Sequence, residues 1–238
     1  DERVTAVMNF KYRTEDDQTE GENGCFVLMT RTGIIKRVRF EEFVDVRPSG
    51  IIAISLEEGD EVGWVKATNG DQEIVIVTEQ GQSIRFHESK VRVMGRTAGG
   101  VNAMRLSDGD VIAGMDVIKP QDTHLLVITR NGYGKRTDIH EYRVQGRYGS
   151  GIRTLARNEK TGPIIGVRAI SETDGIMLIT RNGVVLRTTL DAIRETGRST
   201  QGVTVMKVNH NDEVVSITIM ENEAAEISAE NADEIPQA

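Results

Sequence analysis

Arginine recurs through this sequence in a fixed phase with glycine. Four residues after each of Gly33, Gly81, Gly132 and Gly183 stands an arginine: Arg37, Arg85, Arg136 and Arg187. Lys36 and Lys135 precede two of them. A second set leads into a second glycine: Arg47 before Gly50, Arg96 before Gly100, Arg147 before Gly151 and Arg198 before Gly202. The loops read Arg-Pro-Ser-Gly, Arg-Thr-Ala-Gly-Gly, Arg-Tyr-Gly-Ser-Gly and Arg-Ser-Thr-Gln-Gly. A guanidinium suits phosphate because its planar fork makes bidentate contacts and never deprotonates. Nearby Gly, Ser and Thr add backbone N–H and hydroxyl donors and permit close approach. Arg37, Arg47, Arg85, Arg96, Lys135, Arg136, Arg147, Arg187 and Arg198 are therefore the candidate phosphate-binding residues.

Residue pattern alone leaves two roles open for the hairpin arginines. They contact phosphate, or they brace the fold through Glu41, Glu88, Asp138 and Asp191, which follow close behind them. A Gly-rich loop has little core to support, so the loop arginines are the stronger binding candidates.

Catalytic constellations are missing. Neither G-x-S-x-G nor HExxH occurs, and Gly132-Tyr-Gly-Lys-Arg-Thr137 lacks the spacing of a phosphate-binding loop. The single Cys25 excludes an internal disulfide and suits a reducing cytoplasm. His87, His124, His140 and His210 show no metal-ligand spacing. Trp64 and the methionines read as core filler.

The elements that must hold these arginines form an internal repeat. The hairpin glycines lie 48, 51 and 51 residues apart, and the second glycines 50, 51 and 51. A third landmark is an acidic pair before an apolar run, at Asp1-Glu2, Asp60-Glu61 and Asp212-Glu213, weaker at Asp110, with Pro163 in its place once. Residues 25–30, 73–78, 124–129 and 175–180 are short runs rich in Val, Ile and Leu, which predicts strands. Each ends in a turn signal (Thr32-Gly33, Gln80-Gly81, Asn131-Gly132, Asn182-Gly183), and a returning strand follows at 34–40, 82–86, 133–137 and 184–189. The turns are expected to be type I′, with φ > 0 at both central residues. Single helical turns are expected within 40–45, 87–93, 138–143 and 190–196. Four short strands in about 50 residues predict an all-β, propeller-like disc. The expected blades span about 1–59, 60–109, 110–162 and 163–211, with a closing strand at 212–220.

Net charge is −8, which at face value argues against nucleic acid. Eleven of the 37 acids lie in 14–24 and 221–238, which hold no base, leaving 26 acids against 29 bases elsewhere. The body is thus mildly basic, with acid confined to an insertion in the first repeat and a tail expected to be disordered. No apolar run approaches the roughly 18 residues of a membrane span.

Three motifs carry a resemblance: Val91-Arg-Val-Met-Gly-Arg-Thr-Ala-Gly-Gly-Val101, Asn131-Gly-Tyr-Gly-Lys-Arg-Thr137 and Thr196-Gly-Arg-Ser-Thr-Gln-Gly-Val203. Together they closely resemble the C-terminal domain of bacterial DNA gyrase A, over Asp1 to about Met220. The resemblance implies a β-pinwheel whose blades exchange strands. It implies a non-catalytic module that wraps duplex DNA around a basic rim, in partnership with the rest of gyrase A and with gyrase B. ATP and Mg2+ would act elsewhere in that cytoplasmic enzyme, and the acidic tail would regulate DNA binding. The family usually has six blades, so the four repeats here correspond to the last four. Its Q-R-R-G-G-K-G box belongs to a blade expected upstream, and Gln145-Gly-Arg-Tyr-Gly-Ser-Gly151 reads as the ordinary repeat version. The equivalent domain of topoisomerase IV and a propeller-type protein-interaction scaffold are the competing readings.

Overall fold

The apolar runs at 25–30, 73–78, 124–129 and 175–180 all form strands, most of them buried on both faces, whereas residues 4–8 after Asp1-Glu2 form none. The computed structural model describes residues 4–8, 24–172 and 175–220. The acidic tail and nearly all of the acidic insertion lie outside the described residues. In chain order the strands are β1 (Cys25–Thr30), β2 (Ile34–Arg39), β3 (Val62–Thr68), β4 (Glu73–Thr78) and β5 (Gln82–His87). There follow β6 (Val101–Asn102), β7 (Ile112–Ile118), β8 (His124–Thr129), β9 (Tyr133–Asp138) and β10 (Ile152–Arg153). The last five are β11 (Ile164–Ile170), β12 (Gly175–Thr180), β13 (Val185–Thr189), β14 (Val203–Thr204) and β15 (Val214–Met220). Single 3-10 turns at Phe40–Phe43, Glu88–Lys90, Ile139–Glu141 and Leu190–Ala192 follow the second strand of each hairpin.

The strands form four sheets in the orders β3-β1-β2-β6, β10-β5-β4-β7, β11-β8-β9-β14 and β13-β12-β15. Sheet and sequence repeat are out of step. Each hairpin takes a long third strand from the next repeat on one side. On the other side the first three hairpins take a two-residue strand that lies beyond the following hairpin, as when Val101-Asn102 pairs with Ile34 and Ile35. The blades are thereby stitched together by exchanged strands, as the resemblance implied. The third strands β3, β7, β11 and β15 pack side by side in succession and form the hub. A Cβ on Gly114 in β7 would lie 2.8 Å from the Val167 Cβ in β11, so glycine sets how closely these hub strands approach.

Blades stack face to face, which explains unbroken apolar runs where half-buried strands would alternate. In β4, Ile74 and Ile76 pack with Val27, Met29 and Ile35 of the first blade. Val75 and Val77 of the same strand pack with Leu125 and Val127 of the third. Leu126 and Ile128 in turn meet Ile176 and Leu178 of the fourth. Each such side chain, fully buried, contributes about 1.5–3 kcal/mol.

The hairpin turns differ from the type I′ expectation. Gly33, Gly81, Gly132 and Gly183 have φ of +94°, +89°, +78° and +82°, while Thr32, Gln80, Asn131 and Asn182 stay at negative φ. Gly33 N–H donates to the Thr30 carbonyl (3.2 Å), and Ile34 N–H donates to Thr30 Oγ1 (3.1 Å). Thr78, Thr129 and Thr180 accept in the same way from Gln82, Tyr133 and Val184. This is a tight turn closed by a glycine bulge, the alternative three-residue hairpin geometry. The acid that opens the next repeat caps it. Asp60 accepts from Thr32 N–H (3.2 Å) and Thr32 Oγ1 (2.6 Å), and Asp110 and Asp212 accept from Gln80 and Asn182 N–H. Burial works against ionisation of Asp60, but the Thr32 and Thr30 hydroxyls and two backbone N–H groups outweigh it and hold its pKa below the ordinary value.

Candidate nucleic-acid interface

The nine sequence-derived basic residues fall into two environments. Arg37 is 7% exposed and Lys135 is 0% exposed, which removes both from any surface contact. Arg37 donates to the carbonyls of Glu88 (2.8 Å) and Val91 (3.2 Å) and pairs with the Glu88 carboxylate at 3.1 Å. Arg85 repeats the pattern on Ile139 (2.7 Å) and Tyr142 (3.2 Å), with Glu73 as its acid. Arg136 donates to the Ile193 carbonyl at 3.0 Å. In these three blades the hairpin arginine is a brace that ties one blade to the repeat after it. The acid that answers Arg37 is the next repeat's Glu88 rather than its own Glu41. Arg187 occupies the same position on β13, where no neighbouring strand covers the edge among the described residues, and it is exposed.

The loop arginines lie at the outer edges of the blades. The loops of Arg96, Arg147 and Arg198 are each pinned at both ends to the second strand of the preceding blade. At one end Met94 N–H donates to the Arg37 carbonyl (2.9 Å), and at the other β6 pairs with β2. Gln145 on Arg85 and Thr196 on Arg136 repeat the first contact. Between the pins the arginine is half-exposed. The side chains of Arg96 and Arg198 are 32% and 31% exposed and lie 3.6 Å from Glu42 and 3.9 Å from Glu141. Arg198 also donates to the Arg153 carbonyl (2.9 Å), and Arg147 donates to the matching carbonyl of Asn102. Arg47 is exposed.

Two buried lysines hold the loops from beneath. Lys36 Nζ donates to the carbonyls of Ala53 (2.8 Å), Arg96 and Ala98 (2.8 Å). Lys135 Nζ donates to Gly197 O (2.7 Å), Arg198 O (2.6 Å) and Thr200 Oγ1 (3.3 Å). Burial lowers the Lys135 pKa to about 8, with Glu141 opposing and Arg198 adding to the shift. Under the third loop the equivalent residue is Ile84, whose Cδ1 would lie 3.6 Å from a Cβ on Gly149.

One recurrent set escaped the sequence reading. Arg92, Arg143 and Arg194 stand 51 residues apart and are exposed, each directly after a buried residue (Val91, Tyr142, Ile193). None of their guanidinium groups has an ion-pair or hydrogen-bond partner among the described residues. The 51-residue period would have found them. Asp45 at the matching place in the first repeat breaks the series.

Among the described residues no group of three acidic, histidine or cysteine side chains is arranged to hold a metal ion. No helix there is long and apolar enough to cross a membrane. A family model described as the DNA gyrase C-terminal domain, beta-propeller, matches residues 26–69, 72–119, 123–171 and 176–219. The chain belongs to this family. The four matched segments coincide with the four hairpin units and their third strands. Over 217 residues the chain is 39% identical to the DNA gyrase A protein of Haloquadratum walsbyi, covering 91% of this chain and 25% of that protein. It is 40% identical over 245 residues to the DNA gyrase A protein of Mycolicibacterium smegmatis, covering 100% of this chain and 28% of that protein. The chain thus spans about a quarter of the length of these curated relatives. A solved DNA gyrase A C-terminal domain superposes with a TM-score of 0.78 at 27% identity, over 87% of this chain and 69% of that one. A topoisomerase IV C-terminal domain does so with a TM-score of 0.81, also at 27% identity, over 92% and 69%. The β-pinwheel reading of the sequence agrees with both.

Proposed function

We propose that this domain binds the phosphate backbone of duplex DNA along the outer edges of its blades and bends the duplex around them. It would do so as the C-terminal part of a DNA gyrase A protein, delivering a DNA segment to the strand-passing parts of the enzyme so that ATP hydrolysis there drives negative supercoiling. The remainder of gyrase A and gyrase B are its partners in the cytoplasm, and ATP and Mg2+ act on those other parts. The observation that carries the reading is the placement of Arg96, Arg147 and Arg198 in outward loops on the outer edges of three successive blades. Their backbones are fixed by strand pairing and, for two of them, by a buried ammonium. Half-exposed arginines on a preorganised loop backbone suit a polyanion, because little loop order remains to be lost on binding. Several contacts are needed at once, since bending a 20–30 bp duplex costs on the order of 1–6 kcal/mol.

Kinship with the topoisomerase IV relative would give the same fold, as the TM-score of 0.81 illustrates. The sequence relatives at 37–40% identity are gyrase A proteins, which favours the gyrase reading. The test is a topology assay. Relaxed circular DNA is incubated with the domain, nicked and resealed, and stripped of protein. A change in linking number of one sign, growing with protein, supports wrapping. Unchanged topology at saturating, demonstrated binding removes the wrapping part of the proposal. No binding at all leaves a protein-interaction scaffold.

A further inference from the structure

The braced hairpin arginines have a consequence at the surface. Arg37 holds the carbonyl of Val91, Arg85 that of Tyr142, and Arg136 that of Ile193. Each carbonyl belongs to the residue directly before one of the exposed arginines 92, 143 and 194. The following residue is fixed as well, because Val93, Val144 and Glu195 bridge in parallel to the same three hairpin arginines. An exposed arginine with no partner among the described residues is therefore held between a buried anchor and an edge bridge, on three consecutive blades. Surface arginines are commonly paired or mobile, and three at one structural position with an anchored backbone form a regular charge track.

We propose that Arg92, Arg143 and Arg194 are primary phosphate contacts of the DNA path, with Arg37, Arg85 and Arg136 acting as the positioning residues behind them. The inference rests on the DNA-binding reading above, and it adds that the path is interrupted at the first repeat, where exposed Asp45 takes the arginine's place. At that position a phosphate meets repulsion instead of attraction. A guanidinium with no partner among the described residues has no protein contact to break when it meets a phosphate. By contrast Arg96 and Arg198 each have a carboxylate within 4 Å to leave.

The test is duplex affinity across a salt series for the wild type, for the triple variant Arg92→Gln, Arg143→Gln, Arg194→Gln, and for Asp45→Arg. All four sites are exposed, so thermal melting serves as the folding control. Each phosphate contact contributes about 0.9 to the slope of log K against log salt. Loss of three contacts makes the affinity deficit roughly 40-fold larger at about 50 mM salt than at about 200 mM. The Asp45→Arg gain should be roughly 3-fold larger at the lower salt. A wild type that does not bind DNA overturns the underlying reading. A wild type that binds with a steep salt slope, beside a triple variant with the same slope, overturns this assignment alone.

Discussion

Replacing Glu88 with alanine leaves the Arg37 guanidinium buried without its counter-charge. Glu88 is 0% exposed and accepts from Thr68 Oγ1 (2.7 Å), Gly70 N–H (3.1 Å) and Gln72 N–H (2.9 Å) besides pairing with Arg37. Removing one member of a buried ion pair costs about 3–5 kcal/mol, because the survivor keeps its desolvation penalty. In a domain of this size each kcal/mol moves the melting midpoint by about 2–4 °C, so Glu88→Ala should melt roughly 6–20 °C lower. Arg37→Met is the informative partner. When Arg37 is lost, Glu88 keeps three donors. When Glu88 is lost, Arg37 keeps two carbonyls and a distant Cys25 Sγ at 3.8 Å, and no anion. Glu88→Ala should therefore be the more damaging of the two, by about 1 kcal/mol or more. Differential scanning calorimetry of the two variants and the wild type, at one pH and salt, measures the order. An Arg37→Met variant that costs as much as Glu88→Ala would refute the view that the carboxylate is the hub of this contact. So would a Glu88→Ala cost below about 1 kcal/mol.

Lys135 should make stability rise with alkaline pH. It is protonated in both states below pH 8, whereas between about 8 and its ordinary value of 10.5 the unfolded chain binds the extra proton. Stability then grows with pH across that window, by up to about 3 kcal/mol. Urea midpoints of wild type and Lys135→Met should accordingly diverge from pH 8 to 10 in favour of the wild type, and parallel curves would remove Lys135 as the cause. Gly132→Ala should destabilise far more than Gly183→Ala. Both glycines have positive φ, but a Cβ at 132 meets the Met206 carbonyl at 2.1 Å while one at 183 meets nothing within 4 Å. The second change should cost only about 1–2 kcal/mol of backbone strain, and equal melting losses would contradict the packing argument. Among the described residues strand β13 presents an uncovered edge with Val185 55% exposed, so the chain should associate with rising concentration. Light scattering should show Val185→Lys reducing that association, and a wild type monomeric at every concentration would show the edge to be protected.

The strands were legible because blade stacking buries both faces of β4 and β8. That turns each into a plain apolar run bounded by a turn signal. The hairpin glycines were legible for the same local reason, although the turn type was not. It depends on the Thr30, Thr78, Thr129 and Thr180 hydroxyls, joined in three of the four hairpins by capping from the next repeat's acid, about 30 residues away. Strand exchange came from the resemblance and not from periodicity, since nothing local tells Val101-Asn102 to pair with a hairpin more than sixty residues upstream. The recurrence of Arg37, Arg85 and Arg136 was read correctly as a regular feature, but spacing could not separate brace from binder. A buried guanidinium reaching a carbonyl 54 residues away and a solvated one look identical in sequence. Lys135 was misplaced on the surface for a related reason, because its carbonyl cage is formed by a loop 62–65 residues downstream.

The affinity of the unaltered chain for a short duplex at a series of salt concentrations decides whether the outer edges of the blades form a phosphate-binding surface. Four to seven phosphate contacts from the exposed and half-exposed arginines predict a straight fall of log K with log salt at a slope of roughly −4 to −6. Duplexes of unrelated sequence should give the same slope. A slope near zero, or binding confined to one duplex sequence, would contradict the account.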